Sequence, residues 1–350
     1  SVPLAEDFSL VEAAAPKAGP GQMVVRNLYL SLEAAIRSWL DGTANYFEPI
    51  ALGGAIRGPS IARVETSHLA GFEAGDLVFG LHHWEDYSLS DANTVLLRKL
   101  SPNPTLPLSW YAGALGGSGQ TAYVGLHRIG RMKPGDTVVV SAAAGATGSM
   151  ACQIANLEGC RVVGIVGSDE KAEVVRETLG AHAVINYRKE PDLVAALTRT
   201  CPEGVNVYFD NVGGTTLDAA LMAMAQGGRI VGCGMISDYN NPGSPTPLYN
   251  LWQVVERQLN LQGFLLYSYL DDLPAASAAL ESWLSAGKLK ALENITEGLS
   301  AAGGAYSTMM AGTTMGKNLV SVAEAWPPRR SATLFVRNLL GMGGPANGVC

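Results

Sequence analysis

The stretch Val138-Val-Val-Ser-Ala-Ala-Ala-Gly-Ala-Thr-Gly148 decides how the rest of the chain is read. Thr137–Ser141 is a largely β-branched run, the composition of a strand buried on both faces. The spacing Ala142-x-x-Gly145-x-x-Gly148 follows at once, and Ser149–Leu157 reads as a helix. Small residues have a physical purpose here. Gly145 lets a backbone approach a pyrophosphate, and Gly148 lets the helix pack closely on the strand. The helix start then offers unpaired N–H groups and a positive dipole end to phosphates. Ala144, Gly145, Ala146, Thr147 and Gly148 are therefore expected to hold a dinucleotide. A ligand-free strand-to-helix turn can share the pattern, but the strand–turn–helix setting favours the dinucleotide.

Outward from this turn, the pattern repeats. Strands are expected at Arg161–Val166, Ala183–Asn186, Val205–Asp210, Arg229–Gly232 and Leu261–Leu266. Helices are expected between them at Glu170–Leu179, Asp192–Thr200 and Thr216–Met224, with another at Leu273–Ser285. Strands alternating with helices mean βαβ units and a parallel sheet. Residues 1–105 differ: short apolar runs such as Met23–Leu30, Ala62–Glu65 and Asp76–Gly80 lie between turns rich in Gly and Pro. The fold class is α/β, a β-rich domain joined to a doubly wound parallel-sheet domain. Asn318–Val322 reads as a strand returning to the first domain. The expected organisation is residues 1–117 with 290–326 as the β-rich substrate domain, 118–289 as the dinucleotide domain, and 327–350 as a tail. That tail has three arginines and no acids, and is expected to be mobile, with an apolar patch at Leu334–Leu340.

The 350 residues carry a formal net charge of −7, which argues against nucleic acid as a partner. The most apolar window, Val138–Leu157, is interrupted by glycines, Gln153 and Asn156, so no membrane span is expected. The chain opens without a signal-peptide pattern. Five cysteines, at 152, 160, 201, 233 and 350, form no C-x-x-C pair. They read as thiols of a reducing, cytoplasmic compartment. His82 and His83 are adjacent, but no third ligand lies near them in sequence, so no metal is expected.

The phosphate end of the dinucleotide has a second set of candidates. The second strand ends in Val166-Gly-Ser168, followed by Asp169-Glu-Lys171. Gly167 and Ser168 leave room for a 2′-phosphate, and Lys171 lies one helical step away. Tyr187 and Arg188 follow the third strand and can cap the same group. These residues favour NADPH. Two other readings stay open: Lys171 as a solvated first-turn lysine, and Asp169 as the acid that binds the ribose of NAD.

Several segments together resemble a known family: Arg26-Asn-Leu-Tyr-Leu-Ser-Leu32, the Ala142–Gly148 turn with Gly159–Lys171, and Val207-Tyr-Phe-Asp-Asn-Val-Gly-Gly214. The chain is similar to the zinc-independent branch of the medium-chain dehydrogenase/reductase superfamily, in the prostaglandin/leukotriene reductase and curcumin reductase group with the plant alkenal double-bond reductases. The resemblance runs from about residue 7 to 323. It implies a GroES-like β domain, a Rossmann domain and NADPH. It also implies reduction of the C=C bond of unsaturated ketones and aldehydes. The matching lysine and tyrosine hold the 2′-phosphate, which supports Lys171 and Tyr187. The matching asparagine, Asn211, lies against the cofactor, and the loop Cys233–Ser237 with Phe264–Leu266 lines the nicotinamide side. The matching tyrosine that contacts the substrate carbonyl, together with the nicotinamide ribose 2′-OH, is Tyr267. Tyr269 is the alternative. Homodimerisation is implied by the family alone.

The chain also departs from that family. Glu33-Ala-Ala-Ile-Arg37 replaces a proline turn while keeping its arginine. Thr314, in Thr314-Met-Gly-Lys317, stands where an asparagine usually touches the cofactor. Tyr46, Phe47, Trp84, Tyr87, Tyr239 and Tyr249 are aromatic candidates for an apolar pocket, which suits a small apolar unsaturated carbonyl. The competing functions are a quinone or carbonyl reductase, and a dinucleotide-binding relative without catalysis.

Overall fold

The apolar runs of the first hundred residues form strands β1 (Phe8–Ala14), β2 (Gln22–Ser31), β3 (Arg57–Ser67), β4 (Leu77–His83), β5 (Tyr87–Asp91) and β6 (Arg98–Lys99). The computed structural model describes residues 1–42, 47–241 and 243–322, and the backbone of 331–337. Then come β7 (Thr137–Val140), β8 (Arg161–Val166), β9 (Ala183–Asn186), β10 (Val205–Asp210), β11 (Met224–Gly232) and β12 (Asn260–Gly263). The last are β13 (Glu293–Glu297), β14 (Lys317–Ser321) and β15 (Ser331–Arg337). The chain divides into two compact units. One is Ser1–Pro102 with Ile295–Thr313 and the chain from Asn318; the other is Asn103–Asn294 with Thr314–Lys317.

A seven-stranded sheet runs in the order β13-β14-β2-β3-β4-β6, with β5 also paired to β2. The pairs β2–β3 and β3–β4 are antiparallel, and register shifts after Val24 and after Asn27 bend β2. Phe8, Trp84 and Tyr306 meet at ring-centroid distances of 5.5–5.9 Å in the core of this unit. Trp84 and Tyr87, candidate pocket aromatics, are buried side chains, Trp84 in one core cluster with Phe8 and Tyr306.

In the other unit, the order is β12-β11-β10-β7-β8-β9, and every pair is parallel. Counted from β7, this is 6-5-4-1-2-3, the doubly wound dinucleotide-binding order with its switch point between β7 and β10. Val138, Val139 and Val140 are fully buried, as the β-branched run implied. The helix after the glycine turn is Ala146–Leu157, and eight of its twelve residues are buried. The expected helix at 170–179 begins at Asp169 and changes to a π turn over Val174–Thr178. The expected last strand stops at Gly263, and Leu266–Ser268 is a 3-10 turn.

The segment read as a loose tail contains β15. It pairs antiparallel along the whole of β1, with Phe8 opposite Arg337 and Ala14 opposite Ser331. The β-forming run Thr333-Leu-Phe-Val satisfies an edge that β1 would otherwise present. Residues 327–330 and 338–350 lie outside the described residues. Among the described residues, no helix is long and apolar enough to cross a membrane.

Candidate cofactor site and active site

The glycine turn is built by close backbone contact. Ala142 has a φ of +48°, in the left-handed region, and its carbonyl accepts from the Gly145 N–H at 2.8 Å. A Cβ on Gly148 would lie 2.2 Å from the Ala142 oxygen and 2.9 Å from its carbonyl carbon. Gly148 is thus required to close the turn, as well as to seat the helix. A Cβ on Gly145 would meet only the Ala142 oxygen, at 3.2 Å. Gly145 is the N-cap of Ala146–Leu157 and makes no side-chain cap. The N–H groups of Ala146, Thr147 and Gly148 therefore have no acceptor within the helix and suit an anion.

At the neighbouring strand end, β10 delivers Asp210 and Asn211. Asp210 is 2% exposed and accepts from Ser141 Oγ, Tyr208 Oη and the N–H groups of Val212 and Gly213, all at 3.0 Å. Burial raises its pKa against the pull of those donors. Asn211 is tied to the same strand end. Its N–H donates to Ser141 Oγ at 2.8 Å, and its Nδ2 donates to the Ser141 carbonyl at 2.7 Å. The sequence offered Asn211 as a candidate but not the Asp210–Ser141 hub that orients it. The available signal was an acid at the end of an apolar strand, where a lone carboxylate needs several donors.

The ends of β8 and β9 bring Ser168, Lys171, Tyr187 and Arg188 together. Ser168 caps the helix Asp169–Glu173, accepting from the Lys171 N–H at 3.2 Å. The Tyr187 ring packs over Gly167, and the Arg188 guanidinium lies 5.9 Å from that ring's centroid. Burial and then the Arg188 charge lower the Lys171 pKa. Asp169 points elsewhere: it accepts from Asn186 Nδ2 at 2.8 Å and pairs with Lys189, and these bonds lower its pKa. The acid that stood as an NAD-binding alternative is committed to Asn186 and Lys189. Two cations repelling across a small space suit a phosphate better than a ribose hydroxyl.

The remaining candidates are arranged in two groups. Cys233 donates its N–H to the Asp210 carbonyl at 2.8 Å, and burial pushes its thiol up to about 12. Ser237 donates from Oγ to the Val212 carbonyl at 2.7 Å, close over Gly214. Thr314 lies in a strap that the sequence did not place. Gly316 bridges to Gly145 and donates its N–H to the Ala144 carbonyl at 2.7 Å. That contact joins residues far apart in the chain and leaves no local signal. Tyr267 is half-buried in the turn Leu266–Ser268. Tyr269 instead packs edge-on against Phe264, 6.0 Å between centroids, and its Oη accepts from Gln262 at 3.4 Å. Tyr249 is exposed, and Tyr46 lies outside the described residues.

A family model described as the N-terminal domain of oxidoreductase matches residues 1–97, and one described as zinc-binding dehydrogenase matches residues 146–282. The 2-alkenal reductase (NADP(+)-dependent) of Nicotiana tabacum is 39% identical over 307 residues, 87% of this chain and 89% of its own. The NADPH-dependent curcumin reductase of Escherichia coli is 35% identical over 326 residues, 92% and 93% of the two chains.

The chain belongs to the medium-chain dehydrogenase/reductase superfamily, in its curcumin, prostaglandin and alkenal double-bond reductase group.

The crystal structure of CurA from Vibrio vulnificus in complex with NADPH superposes on this superfamily member with a TM-score of 0.85 at 36% identity, covering 93% of this chain and 96% of that one. The pairing of a GroES-like β domain with a Rossmann sheet is therefore the family architecture. The zinc of the family model's description finds no fit. Among the described residues, no three His, Cys, Asp or Glu side chains are grouped to hold a metal ion. The glycine turn and the Lys171–Arg188 pair do fit a phosphorylated dinucleotide, by their backbone openness and by their charge.

Proposed function

We propose that this protein reduces the C=C bond of small, apolar α,β-unsaturated ketones and aldehydes with NADPH. The observation that carries this reading is the Lys171–Arg188 pair beside a closed glycine turn, in a chain 39% identical to a 2-alkenal reductase. The turn Ala144–Gly148 takes the pyrophosphate, and Ser168, Lys171, Tyr187 and Arg188 take the 2′-phosphate. Asn211, Cys233, Ser237 and Thr314 line the rest of the cofactor. When bound, NADPH supplies the hydride that goes to the substrate β-carbon.

The chain's own task is to stabilise the negative charge that builds on the carbonyl oxygen as the enolate forms. Tyr267 does so by donating a hydrogen bond from its phenol, without a change of charge. Among the described residues, Cys152, Cys160, Cys201 and Cys233 are free thiols, buried or half-buried, which suits a reducing cytoplasm. The exposed edge strand β12 suits a homodimer.

The test is NADPH oxidation with a panel of enones, enals and quinones, with product analysis. Saturated ketones and aldehydes are expected. Hydroquinones or allylic alcohols would move the protein to the quinone or carbonyl reductases, and tight NADPH binding without turnover would make it a binding protein. Replacing Tyr267 by Phe is expected to lower kcat about ten- to hundredfold, with a smaller effect on NADPH affinity. An unchanged kcat removes Tyr267 from the mechanism.

A further inference from the structure

After Asn294, among the described residues only Thr314–Lys317 returns to the dinucleotide unit. These four residues form a strap with contacts on both sides. On one side, Gly316 bridges Gly145 and donates to the Ala144 carbonyl at 2.7 Å. On the other, Lys317 donates its N–H to the Leu292 carbonyl at 2.7 Å, and Asn294 Nδ2 donates to the Met315 carbonyl. Gly316 has a φ of +68°, and a Cβ there would lie 2.3 Å from the Leu292 oxygen, so the strap lies tight on that backbone. The Lys317 side chain is buried, with its stem against Gly113.

Below the strap, Glu293 accepts from Ser109 Oγ at 2.8 Å, and its Oε1 is buried without a hydrogen-bond partner among the described residues. Burial raises the Glu293 pKa, while the Ser109 bond and the Lys317 charge oppose the rise. A buried cation and a half-buried carboxylate with one shielded oxygen, on the two segments that meet at this seam, attract more strongly than they would in water.

We propose that Lys317 and Glu293 are positioning residues that fasten the strap onto the glycine turn and so set the affinity of the turn for the dinucleotide. Neither side chain needs to touch the cofactor. The strap carries Thr314 and ends on the residues that cradle the pyrophosphate, so its looseness becomes looseness of the cradle. This inference rests on the reading of that turn as the NADPH site.

The experiment uses the full chain. Amide hydrogen exchange is followed without cofactor, and NADPH is titrated by fluorescence, for the wild type, Glu293→Gln, Lys317→Met and the double variant. Glu293→Gln removes the counter-charge and is expected to speed exchange at 143–148 and 314–317 by about tenfold, leaving β8 and β9 unchanged. Its NADPH Kd is expected to rise about tenfold. The double variant removes both charges and is expected to fall between Glu293→Gln and wild type. Should Lys317→Met fail to fold, Ser109→Ala keeps both charges and gives the same local change in smaller measure. Unchanged exchange at the two segments in Glu293→Gln, or a rise spread evenly over the unit, overturns the proposal. A wild type that does not bind NADPH overturns the cofactor reading instead, and the exchange data still decide the fastening.

Discussion

Lys171 and Arg188 set two positive charges at the ends of adjacent strands, and burial, then the Arg188 charge, makes the Lys171 charge harder to keep. An incoming 2′-phosphate relieves that repulsion and adds charge-assisted hydrogen bonds of about 1.5–3 kcal/mol each. Lys171→Ala is therefore expected to raise the KM for NADPH about ten- to hundredfold while leaving the KM for NADH nearly unchanged. Equal losses with both cofactors would return Lys171 to the status of a surface lysine. A second residue-scale prediction concerns Ala142, held at a φ of +48°. Glycine adopts this conformation without strain, so Ala142→Gly is expected to stabilise the fold by a few tenths to about 1 kcal/mol, measured by denaturant unfolding. At Gly148 the sign reverses. Its absent Cβ would lie 2.2 Å from backbone, and Gly148→Ala is expected to cost about 1–3 kcal/mol.

At the scale of elements, the strand β12 is one of the two edges of the six-stranded sheet, and all four of its residues are exposed. It follows the exposed side chains Tyr249, Leu251, Trp252 and Val255. An open edge beside exposed apolar side chains is a template for a second copy. Equilibrium sedimentation is expected to give a dimer, and Trp252→Asp to shift it toward monomer. The same scale shows what the sequence could tell. The elements read most closely were those whose chemistry is local: Arg161–Val166, Ala183–Asn186, Val205–Asp210 and Leu273–Ser285 match in bounds. β13 went unread because Glu-Asn-Ile-Thr-Glu has one apolar side chain and borrows its order from a neighbour. β15 went unread because its partner, β1, lies at the opposite end of the chain. In the candidate site, the glycine turn was legible as a motif, and Ser168 and Lys171 as phosphate candidates, though not as a helix cap. The Asp210 hub and the strap arise from tertiary contacts, which no window of sequence contains.

At the scale of the whole molecule, His82 ties stability to pH. It is 1% exposed, with Nδ1 2.8 Å from Ser60 Oγ and no partner for Nε2 among the described residues. Burial, and then the neighbouring His83, depress its pKa from 6.5 to about 3. The unfolded chain binds this proton near pH 6.5 and the folded chain only near pH 3, so the unfolded state holds more protons in between. The His82 contribution is complete above pH 6.5 and is lost as pH falls toward 3, at up to about 1.4 kcal/mol per pH unit. Chemical unfolding measured from pH 7 to 4 is expected to show that limb in the wild type and a flatter one in His82→Gln. Equal slopes would mean that water reaches the imidazole.

The strap also has a consequence in time. A ribosome releases the chain from its N-terminal side, and the parallel sheet has all of its strands once Gly263 has emerged. The stretch that closes over the glycine turn comes about fifty residues later, a delay of several seconds at ordinary synthesis rates. During that interval the nascent Rossmann sheet can form without its clasp. A message truncated before Thr314 is expected to yield a chain that holds a dinucleotide less tightly than one that carries the strap.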